Sequence, residues 1–253
     1  MKKRKIIIAL ILFLLGFAGV LSLLTMDIQL SEATEDLLLQ NFTSNQIKWL
    51  SLINPTLILL IAVVVGVILH EKVHLKVPII EALVNKGSKA DIGAILKNGL
   101  LFGFIAGIIL ILLEYAFYPL LSAELGNLSQ NMHPSVLNRL LYGGITEEIL
   151  LRFGLMTLLT WIGFKVFKNN KLIFWTAMIL TALVFAAGHL PVVIQSIGAP
   201  SLLMVLYVLI SNLAAGTIYG WLYWKHGLES AFTGHIFTHV VILVVISLKG
   251  LLL

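Results

Sequence analysis

Long apolar runs separated by short polar clusters dominate the chain. A bilayer core takes about 20 apolar residues per helix. Seven runs meet or approach that length, at about 6–24, 52–69, 99–121, 136–164, 172–190, 201–224 and 228–248. The pattern predicts an all-α fold, a polytopic bundle of about seven transmembrane helices. No internal repeat, linker or low-complexity tract divides the chain, so 1–253 reads as a single integral membrane domain. The first run follows Lys2-Lys3-Arg4-Lys5, which resembles the start of a signal peptide. It is too long for the apolar part of such a peptide and no small-x-small site follows, so an uncleaved anchor is predicted. Segment 73–98 reads as a short amphipathic helix, broken near Asn85-Lys86-Gly87-Ser88, that serves as a connector.

Composition turns this pattern into a statement about solvent. Apolar residues make up 59% and charged residues 11%, where soluble domains have about 45–50% and about 25%. So few charges cannot cover a soluble fold of 253 residues. The net charge of +5 comes from 17 Lys and Arg scattered between apolar runs. They form no basic stripe, which argues against a nucleic-acid partner. The absence of Cys excludes disulfides, thiolate-bound zinc and a Cys nucleophile.

Loop charges alternate as seven spans require. The N-terminus is strongly basic. Residues 25–51 carry Asp27, Glu32, Glu35 and Asp36 against Lys48. Residues 70–98 hold Lys72, Lys76, Lys86, Lys89 and Lys97 against Glu71, Glu81 and Asp91. Residues 122–134 have no Lys or Arg, whereas 165–171 have Lys165, Lys168 and Lys171. The expected topology has a cytoplasmic N-terminus and an outside C-terminus.

Ionisable groups at membrane depth are costly and mark function by default. The fourth run reads Tyr142-Gly-Gly-Ile-Thr-Glu147-Glu148-Ile-Leu-Leu-Arg152. On a helix Glu148 and Arg152 are four apart and share a face, acid first. Glu147 points about 100° away and has no partner on its own helix. The spacing divides labour: Glu148 and Arg152 neutralise each other and hold the helix, and Glu147 is left for proton transfer. The alternative is a purely structural ion-pair cluster. The fifth run ends Phe185-Ala-Ala-Gly188-His189-Leu-Pro191, where Pro191 is expected to end the helix. The seventh contains Gly234-His235-Ile-Phe-Thr-His239. His residues at i and i+4 lie about 6 Å apart, which suits a metal chelate or two donors aimed at one oxygen.

EEILLR at 147–152, FAAGH at 185–189 and HIFTH at 235–239 resemble the ordered signatures of the CAAX protease and bacteriocin-processing family, EExxxR, FxxxH and HxxxN or HxxxD. The run from Gly220 to Ala231 resembles that family's turn before its last motif. The resemblance covers about 135–245, the expected catalytic core. It implies a polytopic intramembrane endopeptidase of a bacterial plasma membrane, related to the Ras-converting CAAX endopeptidases, acting on a membrane-associated peptide or protein. His239 stands where the family has Asn or Asp.

Two chemistries fit. In one, Glu147 and His189 activate a water, and His235 and His239 donate to the oxyanion. In the other, His189, His235 and His239 or Glu147 hold a zinc-like divalent ion. The glutamate route is preferred, so the expected cofactor is none or such a metal. Small peptides or membrane-protein termini are expected as substrates ahead of prenylated proteins. Three other readings compete: a non-catalytic membrane regulator or bacteriocin self-immunity protein, a proton-relay transporter, and a zinc peptidase built on His70-Glu71-Lys-Val-His74, an HExxH string. Against the last stand Lys72, the surrounding lysines and the lack of a third ligand. Glu114 in the third run reads as an interfacial acid. Measured along their runs, Glu147 lies mid-span, His189 near an outer end and His235 about 10 Å from an inner end. They can meet only if a boundary shifts, a helix tilts or the fifth helix continues.

Overall fold

A computed structural model describes residues 2–26, 37–85, 87, 89–167 and 171–252, with the backbone alone for residue 2 and residues 249–252. Asp27, Glu32, Glu35, Asp36, Lys86, Ser88 and Lys168, read above as loop residues, lie outside the described residues. The described residues form helices and no strand. Seven are long and apolar enough to cross a membrane: α1 (Lys3–Thr25), α2 (Ser44–Val73), α3 (Ile92–Asn131), α4 (Val136–Val166), α5 (Lys171–Ile197), α6 (Leu202–His226) and α7 (Leu228–Leu248).

Two boundaries differ from the sequence expectation. The connector at 73–98 is not one broken helix. A short helix runs from Pro78 to Val84, and α3 has already begun at Ile92, capped by the Asp91 side chain on the Ala94 N–H at 2.9 Å. At about 60 Å, α3 is roughly twice a bilayer's thickness. Pro191 does not end α5 either. The helix breaks at His189 and resumes as Leu190–Ile197, with Pro191 in the first turn of the new segment, where its missing N–H costs nothing.

The hub of the bundle is α4, which packs against α1, α2, α5, α6 and α7. For much of its length its hydrogen bonds step i→i+5 rather than i→i+4, over Arg139–Glu147 and Ile149–Met156. This wider turn is rare and tends to occur at functional sites. Buried side chains tie it to its neighbours. Thr146 donates to the Gly16 carbonyl of α1 at 2.7 Å, and Thr157 shares a hydrogen bond with Tyr223 of α6 at 2.9 Å. Such bonds matter in lipid because apolar burial alone gives helices little reason to associate.

On the far side, α3 packs against α7 through Gly99, Gly103 and Gly107 at a four-residue spacing. A Cβ on Gly103 would collide with the Gly234 carbonyl and lie 3.0 Å from its Cα. Thr238 donates to the Gly103 carbonyl at 3.0 Å across this close approach. The backbone contact sets α7, and therefore its histidines, against α4.

Candidate active site

Glu148 and Arg152 are both fully buried. Arg152 Nη1 donates to Glu148 Oε1 at 3.0 Å, and its Nη2 donates to the Gly216 carbonyl of α6 at 2.9 Å. The guanidinium also lies over the rings of Phe185 and Tyr219, at 4.9 and 5.4 Å. The i,i+4 pair is therefore a clamp that binds α4 to α5 and α6. Glu148 Oε1 has a second partner in His235 Nδ1 at 2.8 Å, which adds α7.

That contact resolves the depth conflict. Glu148 lies about 27 Å from the end of α4, and His189 about 27 Å from the start of α5. Gly216 and His235 lie only about 15 and 10 Å from the corresponding ends of α6 and α7. The ends near the N-terminus are staggered, with the α4–α5 hairpin reaching on the order of 15 Å beyond the α6–α7 hairpin. His189 reaches the right level because α5 continues past it.

The imidazoles are oriented by what holds their Nδ1 atoms. His189 Nδ1 lies 2.8 Å from the Phe185 carbonyl. A carbonyl only accepts, so Nδ1 carries the proton and Nε2 keeps its lone pair. His235 donates Nδ1–H to the Glu148 carboxylate and is left with a bare Nε2 in the same way. Tyr219 stacks on one face of His235 at 4.3 Å and His239 on the other at 5.0 Å. His239 Nδ1 is buried without a hydrogen-bond partner. This suits a ring whose proton is on Nε2.

Gly143 makes room for these nitrogens. A Cβ there would lie 2.8 Å from His239 Nε2 and 3.8 Å from His235 Nε2. Glu147 is four residues further along the same helix. It makes no hydrogen bond or ion pair among the described residues. Glu147, His189, His235, His239 and Gly143 all line one cavity of about 980 Å³. Most of its other lining is apolar. It reaches Met26, Met132 and Pro134, near the span ends opposite the N-terminus, and stops at Leu158 on α4, about 12 Å short of the other end. Sideways it runs between α2 and α5, where Ile58, Ile61, Val184 and Val192 are exposed on the bundle's outer surface. A smaller cavity of about 230 Å³ adjoins it at His189, between α3, α5 and α6, and Glu114 lines it. Glu114 is thus an intramembrane neighbour of the site rather than an interfacial acid.

The HExxH alternative fails on geometry. The motif needs both His on one face of an α-helix. Residues 70–73 form a tight three-residue turn instead, and His74 has φ 60°, which throws its exposed side chain away from His70. Glu71, the would-be base, is held by Arg4 at 3.3 Å and Lys5 at 3.0 Å. His70, Glu71 and Glu81 do bring ligand atoms within 4.8 Å of one another, the only such group among the described residues. Arg4 also takes Glu81 at 3.3 Å, so two cations occupy what a dication would need. Burial pushes the Glu81 carboxyl above its ordinary range, and Arg4 opposes that.

The same test applies to a metal among the motif residues. Nδ1 atoms anchored on a carbonyl and a carboxylate are how metal-binding imidazoles are oriented. Yet no three ligand atoms from Glu147, His189, His235 and His239 form a group within 4.8 Å. In this geometry the set does not gather as a metal site.

Sequence reading missed Gly143, Phe185, Gly216 and Tyr219. Gly143 and Phe185 stand within or beside the motifs. Gly216 and Tyr219 carry no signal of their own, since a backbone acceptor and a stacking ring depend on the fold. Residues 129–241 match the family model described as type II CAAX prenyl endopeptidase, Rce1-like, a segment that holds all six motif residues. No curated protein and no solved structure matches the chain. Through residues 129–241 this multi-pass membrane chain belongs to the CAAX protease family.

Proposed function

We propose that the chain is an intramembrane endopeptidase in which Glu147 and His189 activate water. The observation that carries this reading is the convergence of an unpaired carboxylate, two imidazole nitrogens with free lone pairs and a third with a free N–H on one apolar-walled cavity. Glu147 takes a proton from a water oriented by His189 Nε2. The water oxygen bonds to the peptide carbonyl carbon, and negative charge moves to the carbonyl oxygen. His239 Nε2–H donates to that oxyanion, a contribution worth several kcal/mol in a water-poor site. His235, with Nδ1–H given to Glu148, offers Nε2 as an acceptor beside it. The proton then passes to the leaving nitrogen, the C–N bond breaks, and a carboxylate and an amine are released.

His239 replaces the Asn or Asp of the motif without losing a donor. The spacing of ligand atoms favours this route over a metal-bound water. The lysine-rich span ends mark the cytoplasmic side, and the cavity reaches the opposite ends. The substrate is therefore an apolar peptide or membrane-protein terminus met from the extracytoplasmic side, not a cytosolic prenylated protein.

The test is cleavage of a fluorogenic apolar peptide library by the full chain in proteoliposomes of known orientation. Cleavage lost in Glu147→Gln and in His189→Ala, and seen only with peptide on the face opposite the N-terminus, supports the reading. Cleavage that survives both substitutions sinks it. Metal analysis of the purified chain and of His239→Asn separates the chemistries: stoichiometric zinc that disappears in the variant defeats the metal-free route.

A further inference from the structure

Among the residues that line the large cavity, Arg139 is the only Lys or Arg. It sits on α4 eight residues before Glu147, no more than about 12 Å away along the helix. Its Nε donates to the Pro134 carbonyl at 3.4 Å, which sets the plane of the guanidinium. Among the described residues no carboxylate pairs with it, and neither Nη has a hydrogen-bond partner. A half-buried guanidinium with two free Nη groups in an otherwise apolar end of a cavity, beside Met132 and Pro134, is an incomplete structure. It lacks the anion that its planar fork is shaped to take.

We propose that Arg139 is a specificity residue that binds the C-terminal carboxylate of the substrate, so that the chain terminus is held at one end of the cavity while a nearby peptide bond lies over Glu147. This rests on the endopeptidase reading. A terminal carboxylate fits better than the phosphate of a lipid headgroup. The guanidinium faces the same cavity as Glu147, and a short extended peptide, at about 3.3–3.6 Å per residue, touches both. A planar two-oxygen anion also matches the fork in a way that a tetrahedral phosphate on a flexible headgroup need not.

The experiment measures binding rather than turnover. The full chain in phosphatidylcholine nanodiscs is titrated with a fluorescent apolar tripeptide, dansyl-Val-Leu-Leu, as the free acid and as the amide. The acid is expected to bind roughly tenfold tighter or more, as a charge-assisted pair in a low-dielectric cavity gives. Arg139→Gln is expected to remove that preference and leave amide binding unchanged, which also shows that the variant is folded. Arg139→Lys is expected to keep part of it. Equal binding of acid and amide to the native chain, or a preference that survives Arg139→Gln, overturns the proposal. So does a preference abolished by adding phosphatidylglycerol, because the site then belongs to lipid phosphate. The Glu147→Gln chain keeps the acid preference if Arg139 acts as proposed. Cleavage that persists in that variant, with the preference intact, defeats the endopeptidase mechanism and leaves the carboxylate site standing.

Discussion

Two groups of His, Glu and basic residues occupy this bundle, and their fates differ. At the end of α2, Glu71 and Glu81 meet Arg4 and Lys5, so two acids face two cations. His70 is buried, its Nδ1 lies 3.2 Å from the Leu75 carbonyl, and none of these residues lines the large cavity. Around α4, two acids meet one clamped cation. Arg152 is consumed by Glu148 and the Gly216 carbonyl, which leaves Glu147 facing open space with three imidazoles. The first group ties helices together and has nothing left over. The second has a surplus carboxylate and a cavity in front of it. A motif made of reactive residue types becomes a site only when its charges do not cancel and when the fold leaves room beside them.

The sharpest way to break this contrast is to exchange the roles of the two carboxylates. Glu147→Gln is expected to lower peptide cleavage by about 100-fold or more, with the helical content and melting of the purified chain unchanged. Glu71→Gln is expected to leave cleavage within about twofold. The reverse result would make the end of α2 the reactive centre. Next in size, Arg152→Leu leaves a buried carboxylate without its cation and is expected to cost about 3–5 kcal/mol, read as a lowered thermal midpoint in detergent. The double variant Glu148→Leu with Arg152→Leu is expected to recover much of that loss. An equal loss in the double variant would mean that packing, not the charge, holds α4.

Smaller effects sharpen the comparison. Gly143→Ala puts a methyl 2.8 Å from where His239 Nε2 now lies, so cleavage should fall while the melting temperature barely moves. A matched fall in both would make Gly143 a packing residue only. Smallest of all, His74→Ala touches an exposed residue of the motif that does not assemble, and a change beyond about 0.5 kcal/mol is not expected. Loss of cleavage in that variant would reopen the zinc-peptidase reading.

Much of the fold was legible because lipid imposes a length on every apolar run. All seven spans appear where the hydropathy places them, most to within a few residues at each end. The errors came from backbone detail. Proline at 191 reads as a stop, yet it sits in the first turn of a continuing segment, where its missing N–H is harmless. Asp91 caps a helix that the apolar run alone starts several residues later. In the site, the Glu148–Arg152 pair was readable from i,i+4 spacing, because both residues sit on one helix. The partners of that pair on α6 and α7 were not, because no spacing rule joins residues 64 or 87 positions apart.

The sequence by itself determined the solvent, the number of helices, the ordered motifs and the division between a neutralised and a spare carboxylate. These follow from composition and from contacts within one helix. Only the tertiary structure decided that α4–α5 and α6–α7 are staggered so that Glu148 meets His235, that His70 and His74 part company, and that Arg139 faces the same cavity as Glu147. Those outcomes depend on how close two backbones can come, at Gly103 against Gly234 and wherever side chains of different helices must share one volume. A linear pattern holds no distance between helices, and distance is what turns separate acids and imidazoles into one site.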